Sequence, residues 1–344
     1  MAGIKDVAAH AGVSVATVSR VLNGHSGVRE DTRARVLAAV SALRYRPNAL
    51  ARSLRTDQTR TLGLVISDVL NPFFTELARA VEDAARSRGY SVIIGNADEQ
   101  VALQDHHVRT LLDRRIDGLL VSPAEGDSVA LREAAVSGIP MVFVDRWIEG
   151  LDVPLVRADG RGAVRELVAH LYALGHRRIA IITGPVASTT SNERVRAFRS
   201  ALCEFGLPLP EHYIGQGDFQ TASGRQAAEA FFTLPEPPEA VFATDNLMAL
   251  GVMDQLRTLG LRVPEDVALA AFDDIPWFLH TDPPITAIAQ PTQELGHRAV
   301  AALTDLVEWG SPRTPSGEGC AGSVTLSAHL IARRSCGEDE RTRR

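Results

Sequence analysis

Apolar positions in the first sixty residues recur at helical spacing. Ile4, Val7, Ala8 and Ala11 fall at i, i+3, i+4 and i+7, which defines one buried helix face. Val15, Val18, Val21 and Leu22 give a second short helix its inner side. Gly12-Val13-Ser14 separates the two. Gly12 supplies a turn conformation that a side chain resists, and the Ser14 hydroxyl suits the cap of the second helix. Ala8 is small enough for that helix to cross close above it. The pattern predicts a helix-turn-helix whose second helix is sized for the major groove of DNA, although an ordinary helical hairpin shares the same spacing. A third helix is expected over 30–44, with Val36, Leu37, Val40 and Leu43 inward. Glu30 and Asp31 favour its dipole and Pro47 stops it. Residues 48–55 are too few for a stable isolated helix, and 56–60 read as a polar linker.

From Thr61 the rhythm changes to short apolar runs alternating with amphipathic stretches. Strands are expected over 62–68, 91–96, 118–122, 141–145, 179–183, 240–244, 267–272 and 286–290. Helices are expected over 73–88, 101–114, 129–137, 161–174, 193–205, 222–233, 246–259 and 292–309. Continuous apolar strands alternating with helices predict parallel sheets covered on both faces. Eight units exceed one small sheet, so the expected fold class is α/β with two doubly wound lobes behind an all-α head. Ligands of such sheets bind beyond the carboxyl ends of the strands. Those ends carry Asp68, Asn96, Asp145, Gly184, Asp245 and Asp273, with Phe73 and Phe74 just after the first strand.

Charge separates the two readings of the head. Residues 1–60 hold ten Lys+Arg and four Asp+Glu, a net +6; the whole chain is −6, so residues 61–344 carry −12. A basic head on an acidic body suits phosphate neutralisation by the head alone. Lys5 is the only lysine. A length of 344 residues suggests two or three domains. No apolar run reaches the ~20 residues of a membrane span, and the N-terminus lacks an apolar signal segment, so a cytoplasmic protein is expected. Cys203, Cys320 and Cys336 are few, odd in number and far apart, which suggests neither a disulfide framework nor a zinc site. The nucleotide-binding glycine loops and the Gly-x-Ser-x-Gly elbow are missing. His106 and His107 are adjacent and diverge on a helix as solvated surface. No metal and no cofactor are expected, and no enzymatic activity.

Several ordered motifs resemble the LacI/GalR family of transcription regulators. They are Gly3-Ile-Lys-Asp-Val-Ala, Gly12-Val-Ser-Val-Ala-Thr-Val-Ser-Arg-Val-Leu-Asn23, Tyr45-Arg-Pro-Asn-Ala-Leu-Ala-Arg-Ser-Leu54 and Asn71-Pro-Phe-Phe74. The second half adds Asp117-Gly-Leu-Leu, Gly175-His-Arg-Arg-Ile, Ala243-Thr-Asp-Asn, Phe272-Asp-Asp and Pro284-Ile-Thr-Ala-Ile-Ala-Gln-Pro291. The resemblance covers roughly residues 3 to 336. It implies a helix-turn-helix domain over 1–46 and a hinge helix and linker over 47–60. It also implies a two-lobed core over 61–344 of the periplasmic-binding-protein-like type I class. The N-lobe would take about 61–157 plus 288–318, and the C-lobe about 158–287 plus 319–337.

By the same resemblance Val15, Ala16 and Arg20 face base edges, while Thr17, Ser19 and Asn23 contact phosphates. Ala51 lets two hinge helices approach, Leu54 is the minor-groove wedge, and Arg55 lies beside it on the DNA. The small polar effector, a sugar or sugar derivative, is held by Phe73, Phe74, Asp145, Arg194, Phe219, Asp245 and Asp273. Carboxylates accept from vicinal hydroxyls, arginine donates a fork, and Phe73 and Phe219 stack on an apolar face. The simpler readings are core packing for Val15, a surface position for Arg20, and helix caps or ion pairs for the cleft residues. Three departures stand out: Arg29 at a usual Ser/Thr cap, Ala271 before Phe272, and a long, loose 310–322.

The implied partners are operator DNA, a second copy of the chain and a small-molecule effector, with no membrane. In a second reading the core docks a protein co-regulator instead of a small ligand. An enzyme is the weakest reading, since the cleft has no nucleophile–base pair. A sugar-binding transport component conflicts with the basic head.

Overall fold

The computed structural model describes residues 2–22, 27–45, 58–124, 126–310 and 322–337. They form two compact units, Met1–Thr59 and Arg60–Arg344.

The first unit holds α1 (Ile4–Ala11), α2 (Val15–Leu22) and α3 (Glu30–Ala42). Gly12 sits at φ +64 and closes α1, and Ser14 Oγ accepts from Thr17 N at 3.2 Å to start α2. Val7, Ala8, Ala11, Val18, Val21, Val36 and Ala39 make its core. Two expected core positions lie outside it. Val15 is 40% exposed and Leu37 is 50% exposed, because each is about one residue, some 100° of helix, away from the buried stripe. Helix α3 ends before Pro47: Arg44 turns left-handed at φ +46, and Tyr45 N returns to Val40 O. Arg29 gives α3 no side-chain cap.

The second unit contains two sheets of six strands each. The first has the order β11-β5-β4-β3-β1-β2, all parallel, with β1 (Thr61–Ile66), β2 (Ser91–Asn96), β3 (Gly118–Val121), β4 (Met141–Val144), β5 (Leu155–Asp159) and β11 (Val324–Ser327). The second has the order β12-β10-β9-β8-β6-β7, with β6 (Ile179–Thr183), β7 (Ile214–Gln216), β8 (Ala240–Ala243), β9 (Ala268–Phe272), β10 (Thr286–Ala289) and the antiparallel β12 (His329–Ile331). The central strands are apolar on both faces because each sheet has a core on either side.

Helices α4 (Pro72–Ser87), α5 (Val101–Asp113), α6 (Val129–Val136) and α11 (Thr292–Trp309) cover the first sheet. Helices α7 (Arg161–Ala173), α8 (Thr189–Glu204), α9 (Thr221–Phe232) and α10 (Asn246–Leu259) cover the second. The chain crosses between lobes after β5, after β10 and after β11. Strand β11 lies within 319–337, a stretch expected in the second lobe, yet it pairs with β5 at Val324–Val156 through Ser327–Asp159. The lobe boundary therefore falls near Ala328. Helix α8 begins at Thr189, four residues earlier than expected, since Ser188 Oγ accepts from Ser191 N and caps it.

Candidate functional site

In the first unit, α2 presents Val15, Ala16 and Arg20 outward and buries Val18 and Val21 on its opposite side. Thr17 is half-buried and its hydroxyl lies 2.9 Å from Ser14 Oγ, so it serves the cap. Ser19 is half-buried beside the outer face. Asn23, Ala51, Leu54 and Arg55 lie outside the described residues.

In the second unit, the strand ends of both lobes meet across a cleft. Asn71 caps α4 by accepting from Phe73 N at 3.0 Å. Its amide donates to Asp245 Oδ2 across the cleft at 3.0 Å, and Asn246 donates back to Asn71 Oδ1 at 2.8 Å. Asp245 also caps α10 by accepting from Met248 N. This residue is thus engaged in joining the lobes and starting a helix. Phe73 packs edge-on against Phe74, centroids 5.1 Å apart, within the first-lobe core.

The other expected residues converge. Arg194, one turn into α8 and 8% exposed, donates from Nη1 to Thr244 O at 2.7 Å. It lies 3.8 Å from Asp273 and 3.7 Å over the Phe272 ring. Asp273 also accepts from Gln290 Nε2 at 2.6 Å. Arg146 follows Asp145 at the end of β4, and its guanidinium lies 5.5 Å from the Phe74 ring and 5.0 Å from the Phe219 ring. One aromatic ring from each lobe therefore contacts the same cation. Sequence reasoning missed Arg146, Gln290, Asn71 and Glu99. Gln290 and Asn71 stand inside quoted motifs, and Arg146 directly follows the candidate Asp145 at a strand end; Glu99 gave no comparable signal.

Asp145, Phe219 and Asp273 all have left-handed backbones, at φ +67, +64 and +66. Such a conformation costs a non-glycine residue about 1–2 kcal/mol, and it persists where the surroundings over-determine it. Here it turns three side chains back over the strand ends. Gly184 makes room for one of them, because a Cβ there would fall 2.2 Å from two carbons of the Phe219 ring. Gly184→Ala is expected to displace Phe219 and weaken effector binding about tenfold or more, equivalent to ~1.4 kcal/mol. Titration calorimetry checks this; an unchanged affinity would place Phe219 outside the ligand contact.

Burial dominates the electrostatics. It raises the Asp145 carboxyl to about 6, against the pull of Arg194 and Arg146, and raises Asp245 to about 7, against its backbone hydrogen bond from Met248. Burial also raises Asp273, opposed chiefly by Arg194. The ordinary value is 3.8, so the folded core binds protons that the unfolded chain releases. The stability these groups contribute is full below about pH 4 and is lost as pH rises through 6 and 7. The melting midpoint of the core is expected to fall from pH 5 to pH 8, and Asp245→Asn to reduce that slope while keeping the cap. A midpoint that rises over this range contradicts the assignment.

Arg146, Trp147, Ser188 and Asn192 flank a mouth of about 500 Å³ between the lobes. A second opening of about 370 Å³ is lined by Asp98, Glu99, Pro185, Asp218 and Gln220. Carboxylates that accept, arginine and glutamine that donate, and two aromatic rings suit a small polyhydroxylated ligand. Among the described residues no group of three or more His, Cys, Asp or Glu is placed to hold a metal.

Residues 3–48 match the family model of bacterial regulatory proteins, lacI family, and residues 168–336 match a periplasmic binding protein-like domain. The HTH-type transcriptional repressor CytR of Escherichia coli is 35% identical over 307 residues, covering 89% of this chain and 90% of CytR. The chain belongs to the LacI family. As a member of that family it is a DNA-binding transcriptional regulator. PurR of Photobacterium profundum, another HTH-type transcriptional repressor, is 36% identical over 314 residues, covering 90% of this chain and 92% of PurR. The lac repressor dimer bound to operator and the anti-inducer ONPF superimposes with a TM-score of 0.85 at 28% identity, over 98% of this chain and 99% of that one. The regulator CelR in complex with cellobiose gives 0.71 at 31% identity, over 97% and 100%. The helix-turn-helix and the two-lobed core of this chain are those of the LacI family.

Proposed function

We propose that the chain is a repressor that grips a pseudo-palindromic operator as a homodimer and is controlled by a small polar effector, a sugar or sugar derivative, in the interlobe cleft. The observation that carries this reading is the set of buried Asp145, Arg194 and Asp273 with half-buried Gln290, gathered where the strand ends of the two lobes meet. The lac repressor solved as a dimer on operator and CelR solved with cellobiose add support from relatives. Val15, Ala16 and Arg20 read bases; Thr17, Ser19 and Asn23 position on phosphates. Ala51, Leu54 and Arg55 belong to the hinge, with Leu54 as the wedge that unstacks a base step and bends the duplex. The effector favours one lobe arrangement, and a bias of ~1–3 kcal/mol is enough to change operator occupancy. No helix among the described residues is long and apolar enough to cross a membrane. We place the protein in the cytoplasm, on DNA, as a regulator and not a catalyst.

The test combines a mobility shift on the gene's own promoter fragment with calorimetry against D-ribose, D-galactose, cellobiose and uridine. Saturable heat and a ligand-dependent change in the shift are expected. A protein that retards no promoter fragment at low salt, with or without these compounds, refutes the reading.

A further inference from the structure

Three arginines around the cleft, Arg146, Arg157 and Arg194, are each matched by a carboxylate. Arg146 donates from Nη1 and Nη2 to the two oxygens of Glu99 at 2.7 and 2.9 Å, with side chains 7% and 18% exposed. Its Nε lies 3.9 Å from Asp145. Arg194 is held by Asp273 and by Thr244 O, and Arg157 by Glu193. The Glu99 clamp is built deliberately into the backbone. Asp98 and Glu99 are consecutive left-handed residues, at φ +51 and +54, just after β2. Glu99 N donates to Ser67 O at 2.8 Å and fixes that turn. Two strained non-glycine residues in succession need a local reason to persist.

The chemistry of the clamp is selective. A guanidinium fork recognises a phosphate by two parallel N–H donors. On Arg146 that fork already faces the Glu99 carboxylate. The second opening, on the Glu99 side of the clamp, is lined by Asp98, Glu99 and Asp218, and these carboxylates repel a phosphate that enters there. Hydroxyl groups meet no such barrier, since each donates to a carboxylate and accepts from an arginine N–H.

We propose that Glu99 is a specificity-determining residue of the cleft: by saturating the Arg146 fork it admits an uncharged polyhydroxy ligand and excludes that ligand's phosphate ester. This inference rests on the effector reading above and narrows its ligand class.

Full-length wild type, E99Q, E99A and E99Q/R146M are titrated with inorganic phosphate by calorimetry. Wild type is also titrated with D-ribose, D-galactose and their 5- and 6-phosphates. The two single variants are expected to bind phosphate about tenfold or more tightly than wild type, and the double variant to lose that gain. Wild type is expected to bind a free sugar at least about tenfold more tightly than its phosphate. The inference is overturned by wild type binding a phosphate ester as tightly as its parent sugar. It is also overturned by folded E99Q and E99A keeping the wild-type phosphate affinity, or by a gain that survives loss of Arg146. The wild-type comparison needs no variant to fold. Free sugar bound with no phosphate gain in the variants removes the role of Glu99 alone. A phosphate gain with no sugar bound removes the sugar reading and supports the Glu99 clamp.

Discussion

Arg194→Met is expected to abolish the effector response while leaving operator binding intact. The guanidinium has three roles: it donates to Thr244 O, offsets the Asp273 charge, and lies over the Phe272 ring. Methionine restores some packing volume but no donor and no charge. Arg194 is among the groups that oppose the burial-driven rise of Asp145, Asp245 and Asp273. Without it all three carboxyls move further up, and a protonated Asp273 no longer offers the same acceptors to a hydroxyl. Truncating one partner of a buried charge pair costs about 2–5 kcal/mol in binding, so effector affinity should fall by a factor of roughly a hundred or more. The head is a separate compact unit, Met1–Thr59, so its affinity for operator in the absence of effector should stay within about threefold. The core should melt earlier at neutral pH, as a broken buried pair costs ~3–5 kcal/mol, and should recover in part at acid pH, because burial already raises the Asp273 carboxyl and its protonation removes the unpaired charge. Mobility shifts with and without effector, beside calorimetric melts at the two pH values, check both halves. An effector that still shifts operator binding in the variant at the concentrations that act on wild type refutes the central role given to Arg194.

The difference between what the sequence reveals and what it hides follows from distance along the chain. Helices 246–259 and 292–309 and strands 91–96 and 179–183 have the expected bounds, because period and caps are local signals. Strands β5, β7, β11 and β12 left no comparable signal. β7 and β12 have three residues each, and β11 and β12 sit at sheet edges. β5 carries Arg157 and Asp159 and is completed by a partner that begins more than 160 residues later. The site divides in the same way. Asp145 and Asp273 are legible as polar residues closing apolar strands. The Glu99–Arg146 clamp is not, since its partners are 47 residues apart in sequence and meet only when β1 brings β2 and β3 together and β3 carries β4 beside them. A polar residue at a strand end announces a rim; which other residue saturates it depends on topology.

The head offers the sharpest test of how the protein reads DNA. Arg20 stands on the exposed side of α2 with Val15 and Ala16, opposite the buried Val18 and Val21. An arginine there can donate two N–H groups to O6 and N7 of one guanine, worth ~1–3 kcal/mol per contact. The proposed homodimer makes the contact twice, so Arg20→Ala should weaken specific binding by about 2–6 kcal/mol, a factor between roughly 30 and 10⁴ or more. Arg20→Lys decides what is lost: it keeps the charge and removes the fork. If base reading is the role, lysine should lose most of what alanine loses on operator, and neither variant should change binding to random duplex by more than about threefold. The slope of affinity against salt should also stay close to that of wild type, because a base contact releases no counterions. Titrations of both variants on operator and random DNA at several salt concentrations give the answer. Equal losses on the two DNAs, with a flatter salt slope, would reassign Arg20 to the phosphate backbone and leave base reading to Val15 and Ala16.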